Sequence, residues 1–487
     1  MRVRRTNTRE THNRLVGGKS LRLLSLPLRA SVCVFDWIEI NPMRGLILIL
    51  LLAFTLNAFS LRESRADLSR IPGTSWEIAT NLSDGAGYVF CDYYFPFCGT
   101  TNQISAAREP VPVLLFALVA RLTHSSDLAL GALQLALYLA ILLGTFFVAR
   151  EICGARIALL ASFLWALYPP AFKAVLDKEI DLVAALCVVW GLFFFVRAQR
   201  TNGACAWIAA GICIGLGILS RSAIIAVAIC LAVCLVFWRT SQFHPLGLHR
   251  ERLKPLFLFI LPVALVMSPW VARNYSAFGR LVIGSTLSGY NLCRQNCLLP
   301  TDHYLRYLGA KESVPILEAL VRQRTDLKGT ENEVQMDAVY REEAIRIIKA
   351  NPLRYVMLSG FRFVTLWFNW RVPEAYEGRS NATDYFVMVE NWLLLIAGIV
   401  GIQGMWRRTW PLTVSLVAFT IIHLAVASRM RYVLAVVPLL LALAAPGLIK
   451  IGKKSKLFVI ILPICIVLAI IFGALLATGK IHLPNST

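Results

Sequence analysis

Three short stretches set charged side chains hard against apolar runs, where an ionisable group can do more than be solvated. The first is SWEIATNLSDGAGY, residues 75–88. Its Trp76, Ile78, Ala79 and Leu82 share one face of a short amphipathic helix that the Gly85–Gly87 turn ends, and Glu77 lies beside that face. An apolar interface raises a carboxylate's pKa toward neutral pH, which suits a general base. The plainer reading is a solvated charge on a helix edge. The second stretch is PPAFKAVLDKEIDL, residues 169–182, where Lys173, Asp177, Lys178 and Glu179 cluster between two apolar runs. Two cations aimed at a phosphate and an ordinary mixed-charge loop fit it equally well. The third is PWVARNYSAFG, residues 269–279, in which Arg273 and Asn274 follow a proline and a tryptophan. Arg offers a planar fork of donors to a phosphate oxygen and stays charged when partly desolvated. The proline predicts that the preceding apolar helix stops there and presents Arg273 at headgroup depth.

Such groups need a scaffold that holds them at one level, and the composition supplies it. Of 487 residues, 57% are hydrophobic and 16% charged. Repeated apolar runs are long enough to cross about 30 Å of hydrocarbon, so the chain reads as an all-α polytopic membrane protein. Spans are expected near residues 45–61, 128–148, 157–174, 180–197, 205–220, 222–238, 255–271, 386–405, 409–427, 432–449 and 455–477. These make roughly eleven crossings, with the Lys/Arg-rich short loops placed in the cytoplasm. Two large loops, 62–126 and 272–384, then face outward. Residues 110–122 are too short to span comfortably, and 351–370 carry Arg354 and Arg362, so both read as helices lying in the interface. A further amphipathic helix is expected in residues 331–352, with Val334, Ala338, Ile345 and Ile348 as its apolar face and Pro352 as its stop. Residues 1–42 form a basic extension, 43–450 the main membrane domain, and 451–487 a last span with a short external tail. Met43-Arg44 followed by GLILILLLAFTLNAF is a complete signal-anchor, so translation is expected to start at Met43.

The net charge of +21 does not point to nucleic acid, because the basic residues sit in loops between spans and no basic patch is interleaved with stacking aromatics. Most of the twelve cysteines fall singly inside spans. Cys91 with Cys98 and Cys293 with Cys297 differ, since both pairs lie in external loops where disulfides persist. Bridges within each pair or between the pairs are allowed. The seven histidines show no metal-ligand spacing, so no cofactor is indicated, and a divalent metal stays an open option.

Four ordered stretches resemble the GT-C superfamily of integral-membrane glycosyltransferases, specifically bacterial relatives of the protein O-mannosyltransferases and of the enzymes that transfer aminoarabinose to lipid A. They are WEIATNLSDGAGY with REPVPVLLFALVARL, then GLGILSRSAIIAVA, PWVARNYSAFGRLVIGSTLSGYNLC, and SRMRYVLAVVPLLLALAAPGL, and they cover nearly all of residues 43–450. The resemblance implies a hexosyl or pentosyl transferase that takes sugar from a polyprenyl phosphate. The reaction would invert the anomeric carbon at the outer face of a bacterial inner membrane. An acid in the first external loop would be the base, and cations would stabilise the leaving phosphate. Family members commonly carry that acid a few residues before the aromatic at Trp76, where this chain reads RIPGTS. Glu77 is therefore carried over as the base, with Asp67 and Asp84 as alternatives. Arg273, Lys178, Arg108 and Arg221 carry over as donor-phosphate ligands. Asn274, Tyr290, Asn291, Glu179, Arg429 and Arg431 carry over as substrate-loop residues. The implied partners are the lipid-linked donor, membrane lipids and an acceptor that is a glycan, a lipid or a protein. Two rivals remain, a transporter or lipid-linked sugar flippase and an inactive GT-C-like scaffold. The absence of a repeat and of a charge buried inside a span weighs against the first.

Overall fold

The computed structural model describes residues 41–63, 73–91, 103–176, 180–237, 250–297, 310–368 and 382–454. Asp67, Cys98, Lys178, Glu179, the expected span 455–477 and nearly all of the N-terminal extension lie outside them. Among the described residues the regular structure is helical, apart from one two-stranded antiparallel hairpin, β1 (Val89–Phe90) with β2 (Gln103–Ile104), paired Val89 to Ile104.

The membrane body begins with α1 (Pro42–Glu63) and continues after the first loop with α4 (Asp127–Cys153). The Ser126 hydroxyl caps α4 by accepting from the Ala129 amide, and Gly154, at φ 90°, ends it. Helices α5 (Ala155–Leu167) and α6 (Pro169–Leu176) meet at a 53° bend, where Pro169 and Pro170 remove two backbone donors. There follow α7 (Asp181–Thr201), α8 (Ala204–Ile218), α9 (Ile224–Phe237) and α10 (Arg250–Phe278). After the second loop come α15 (Ala382–Ile402), α16 (Trp406–Ala425), a 3-10 segment (Met430–Ala435) and α17 (Val437–Lys454). Small residues let these helices approach closely. A Cβ on Gly447 would lie 1.8 Å from the Ala397 carbonyl oxygen, and one on Gly211 would lie 2.3 Å from that of Phe259.

Six of the described helices are long and apolar enough to cross a membrane, or seven with the bent α5–α6 pair counted as one span. The expected eleven is not reached on length. Segments 205–220, 222–238 and 432–449 form helices shorter than a full crossing, and 455–477 is outside the described residues. Helix α10 also departs from expectation. It runs through Pro255, Pro262 and Pro269 and stops only at Gly279, whose φ of 65° suits glycine.

The described parts of the two large loops form one layer. The first contributes α2 (Thr74–Ser83), the hairpin and α3 (Pro110–Thr123). The second contributes α11 (Ser288–Arg294), α12 (Ala310–Gln323), α13 (Glu333–Ala350) and α14 (Pro352–Trp367). Trp76, Ile78, Phe116, Leu287, Tyr290, Leu317, Met336 and Tyr340 pack into a single apolar cluster across both loops. Asn332 and Gln335 form a reciprocal capping box that starts α13. The face α13 buries is not the one expected. Met336, Tyr340 and Ala344 are inside, whereas Ile345 is 42% exposed. Glu333 and Asp337 lie on the same i, i+4 stripe as Tyr340 and Ala344, and their hydrogen bonds to the loops decide which way the helix turns.

Candidate functional site

Glu77 sits one residue past the buried Trp76, which packs on Phe116 at 6.4 Å between ring centroids. Its own side chain is on the exposed side of α2, and partial burial raises its pKa above the ordinary carboxylate value. Asp84 ends the same helix, is exposed, and accepts from the Ser83 hydroxyl at 3.1 Å. Of the three candidate bases, Glu77 alone is described at an apolar edge; Asp67 is outside the described residues.

The end of α10 is tied to both large loops. Trp270 donates its indole N–H to the Gly284 carbonyl at 3.0 Å, and Asn274 donates to that of Val282 at 3.1 Å. Arg273 donates to the carbonyls of Ser105 (2.7 Å) and Tyr88 (3.3 Å) and to the Asn274 side-chain oxygen (2.8 Å). Its guanidinium also rests 5.0 Å from the Trp270 ring and 5.3 Å from that of Tyr88. Trp270, Arg273 and Asn274 thus act together as a staple that ties α10 to the base of the first loop and to residues 282–284.

Glu333 grips the same peptide from the other side. Its carboxylate accepts from the Ser105 hydroxyl (2.9 Å), the Thr286 hydroxyl (3.0 Å) and the Ala106 amide. Burial pushes its pKa up to about 7, although these hydrogen bonds and Arg273 oppose that rise. Beside it, Glu109 is buried and accepts from the Ser222 amide (3.0 Å) and hydroxyl (2.9 Å), just before α9 begins. The Tyr88 hydroxyl donates to the Arg108 carbonyl at 2.8 Å. Asp337 accepts from the Gly289 (2.6 Å) and Tyr290 (3.1 Å) amides at the start of α11 and from Arg341 at 2.7 Å.

A basic cluster forms next to this layer. Tyr432 lies within electrostatic reach of Arg221, Arg294, Arg429 and Arg431. The Arg221 guanidinium is 4.3 Å from the Tyr432 ring centre and Arg431 is 5.8 Å away. Arg221 is ion-paired with Asp181 at the start of α7, and both are buried. Arg294 lies 5.8 Å from the Tyr290 ring and donates to Asn291 at 3.0 Å. The turn carrying Arg429 is fixed in place from below. The Ser428 amide donates to Gln295 at 3.1 Å, and Arg362 bonds the carbonyls of Gln295 (3.0 Å) and Leu424 (2.9 Å). The patch sets four cations beside one paired carboxylate on apolar helices, which leaves it a net positive charge.

The structure therefore brings together Arg221, Arg429, Arg431, Tyr290 and Asn291 from the expected set. It places Arg273, Asn274 and Arg108 at the neighbouring staple. Asp181, Arg294, Glu333, Asp337 and Tyr432 were not singled out in the sequence. Asp181 was already inside the quoted DKEIDL stretch, and Glu333, Asp337 and Arg341 show i, i+4 spacing that could have marked an anchored helix face. The expectation that no charge is buried inside a span fails at Glu390, which lies in the span Tyr385–Ile402 with one carboxylate oxygen buried. Cys91 is disulfide-bonded, whereas Cys293 and Cys297 are free, buried thiols with their sulfurs 3.6 Å apart. Among the described residues, no group of three or more His, Cys, Asp or Glu is placed to hold a metal ion.

Residues 107–271, about a third of the chain, match the family model of dolichyl-phosphate-mannose-protein mannosyltransferases. The fold is similar to that of the oligosaccharyltransferase AglB from Archaeoglobus fulgidus, solved with an inhibitory peptide and a dolichol-phosphate. The TM-score is 0.55 at 15% identity, over 92% of this chain and 57% of that one. A crystal structure of the Archaeoglobus fulgidus oligosaccharyltransferase with Zn and sulfate aligns at TM-score 0.52 and 16% identity, over 91% and 54%. The chain thus spans little more than half the length of these proteins. ArnT from Cupriavidus metallidurans, bound to undecaprenyl phosphate, aligns at 14% identity over 84% of this chain and 77% of that one, with a TM-score of only 0.38. No curated protein matches the sequence significantly.

Proposed function

We propose that this chain, which has the fold of the GT-C membrane glycosyltransferases, is itself a transferase that moves a sugar from a polyprenyl phosphate to an acceptor at the outer face of the membrane. The observation that carries the reading is the convergence of Arg221, Arg294, Arg429 and Arg431 on Tyr432, with Asp181 paired to one of them. A phosphate diester held at the membrane surface needs fixed cations, because the leaving group gains charge as the bond to the sugar breaks. The family match over residues 107–271 and the lipid phosphate bound by the solved oligosaccharyltransferase support a donor of this class.

In the proposed reaction, Glu77 takes the proton from an acceptor hydroxyl. The resulting oxygen attacks the anomeric carbon from the face opposite the phosphate. The bond between that carbon and the phosphate oxygen breaks, and its electron pair leaves with polyprenyl phosphate. The configuration inverts and the proton rests on Glu77. Its raised pKa favours that transfer. The basic cluster holds the leaving phosphate, while Arg273 and Glu333 clamp the 105–106 peptide and so fix the loop that carries Glu77.

The test is release of polyprenyl phosphate from a panel of polyprenyl-phosphate sugars by protein in lipid nanodiscs. Release from one sugar, lowered about a hundredfold or more in Glu77→Gln and in Arg429→Ala, is the expected result. Equal activity of wild type and Glu77→Gln would move the base elsewhere. Tight binding of a donor with no turnover would favour the scaffold reading, which the missing acid before Trp76 keeps in play.

A further inference from the structure

Glu390 stands about 12 Å along α15 from its first residue, inside an apolar span, where an ionisable side chain is expensive unless it serves a purpose. Its Oε2 is buried and has no hydrogen-bond partner among the described residues. The next residue, Asn391, is fully buried. Its Oδ1 accepts from the Tyr168 hydroxyl at 3.0 Å, while its Nδ2 has no partner among the described residues. The Glu390 carboxylate is close enough to Tyr168 to act on it electrostatically, so all three groups share one neighbourhood. Trp392 stacks on Phe368 at 4.2 Å and an interplanar angle of 10°, which holds this turn of α15 against the end of α14.

The location matters as much as the orphaned atoms. Tyr168 is the hinge residue between α5 and α6, and α6 packs on the 3-10 segment that carries Arg431 and Tyr432. Tyr168 therefore joins the Glu390–Asn391 pair to a helix that packs on the segment carrying two residues of the basic cluster. A carboxylate oxygen without a donor and an amide N–H without an acceptor, on adjacent residues, are complementary to a group that both donates and accepts. A hydroxyl does both. A phosphate diester offers only acceptors, and a prenyl chain offers neither.

We propose that Tyr168, Glu390 and Asn391 form a subsite for a hydroxyl of the sugar on the lipid-linked donor, next to the arginines that hold its phosphate. The inference rests on the donor class proposed above. In it, the arginines recognise what all such donors share, and this subsite recognises what differs between them. The Asn391 amide donates to the sugar oxygen, the sugar O–H donates to Glu390, and the Tyr168 hydroxyl fixes the orientation of the amide.

Binding of three probes to full-length protein in nanodiscs tests this: undecaprenyl phosphate, undecaprenyl-phosphate mannose and undecaprenyl-phosphate glucose. Wild type should bind one sugar form about tenfold more tightly than the bare lipid, and Glu390→Gln and Asn391→Leu should each bring that preference to within about twofold. Affinity for the bare lipid should stay unchanged in both variants. A wild type that does not prefer either sugar form, or variants that keep the preference, would overturn the subsite. Failure of wild type to bind even the bare lipid would instead overturn the donor class. Thermal stability separates a structural role from a binding one. Glu390→Gln replaces a carboxyl whose buried Oε2 has no partner among the described residues and should melt at or above the wild-type temperature, and a clear drop would count against the subsite.

Discussion

Glu333 shows how much of the loop layer depends on single residues. It is one buried carboxylate that joins residues 105–106, Thr286 and the first turn of α13, with Arg273 pulling on the same peptide from the opposite side. Its pKa rises from an ordinary 4.5 to about 7, with burial as the cause. The native state then keeps a proton that the unfolded chain has released between those two values. The Glu333 contribution is fully present below about pH 4.5 and is lost as pH rises through 7, a change of about 3 kcal/mol at most. Glu333→Gln mimics the protonated form and should not show that slope. Melting temperatures of both proteins across pH 4.5–8 in detergent should therefore diverge in favour of the variant as pH rises, and a constant gap would show that Glu333 does not titrate there. This residue was invisible in the sequence, where it reads as one more acid in a charged helix. Burial is decided by partners 47 to 228 positions away in the chain, and no local pattern encodes them.

At the scale of elements, local pattern located helices well and helix ends poorly. The apolar runs at 45–61 and 128–148 lie within α1 and α4, and that at 180–197 lies within α7 but for its first residue, because their length and composition leave no other way to satisfy the backbone in hydrocarbon. The stop expected at Pro269 failed because one missing N–H is tolerable in a helix whose neighbours hold it, here through Trp270 and Asn274. Close approach between spans was also illegible, since it rests on glycines that have no side chain to form a pattern. Gly447 and Gly401 sit where α15 crosses α17, and Cβ atoms there would lie 1.8 Å from the Ala397 oxygen and 1.9 Å from that of Leu443. Gly447→Ala must push the helices apart and should cost about 1–3 kcal/mol. Gly360 makes the contrast, because a Cβ there meets nothing within 4 Å and the residue is inside α14. Gly360→Ala should stabilise by up to about 1 kcal/mol through helix propensity alone. Shifts of the same sign for both in thermal unfolding would contradict close packing at the α15–α17 crossing.

For the whole molecule, the fold sorts its charges into two ends. One end carries Arg200 paired with Glu151 at 2.5 Å, Arg407, Arg408 and Lys450, whose ammonium group donates to the Gln403 carbonyl at 2.7 Å. The other carries Glu77, Glu109, Arg221, Arg273, Glu333 and the residues around Tyr432, drawn from chain positions as far apart as 77 and 432. The sequence alone could show each of these as a charge near the end of a span. It could not show that four arginines meet, because loops from both halves of the chain must close over the same helices first. The two ends also differ in kind. At the first, short loops expose basic groups, as expected of a cytoplasmic face, and at the second Arg221 and Arg294 are buried and Arg273 is held by the Ser105 and Tyr88 carbonyls. If the first end is cytoplasmic, a membrane-impermeant maleimide should label Lys328→Cys, on an exposed outer turn, in intact cells. It should reach Arg407→Cys, in the exposed first turn of α16, only after the membrane is permeabilised. Labelling in the reverse order would place the basic cluster in the cytoplasm. The donor would then be met on the leaflet where nucleotide sugars are available, and the case for a lipid-linked donor would weaken with it.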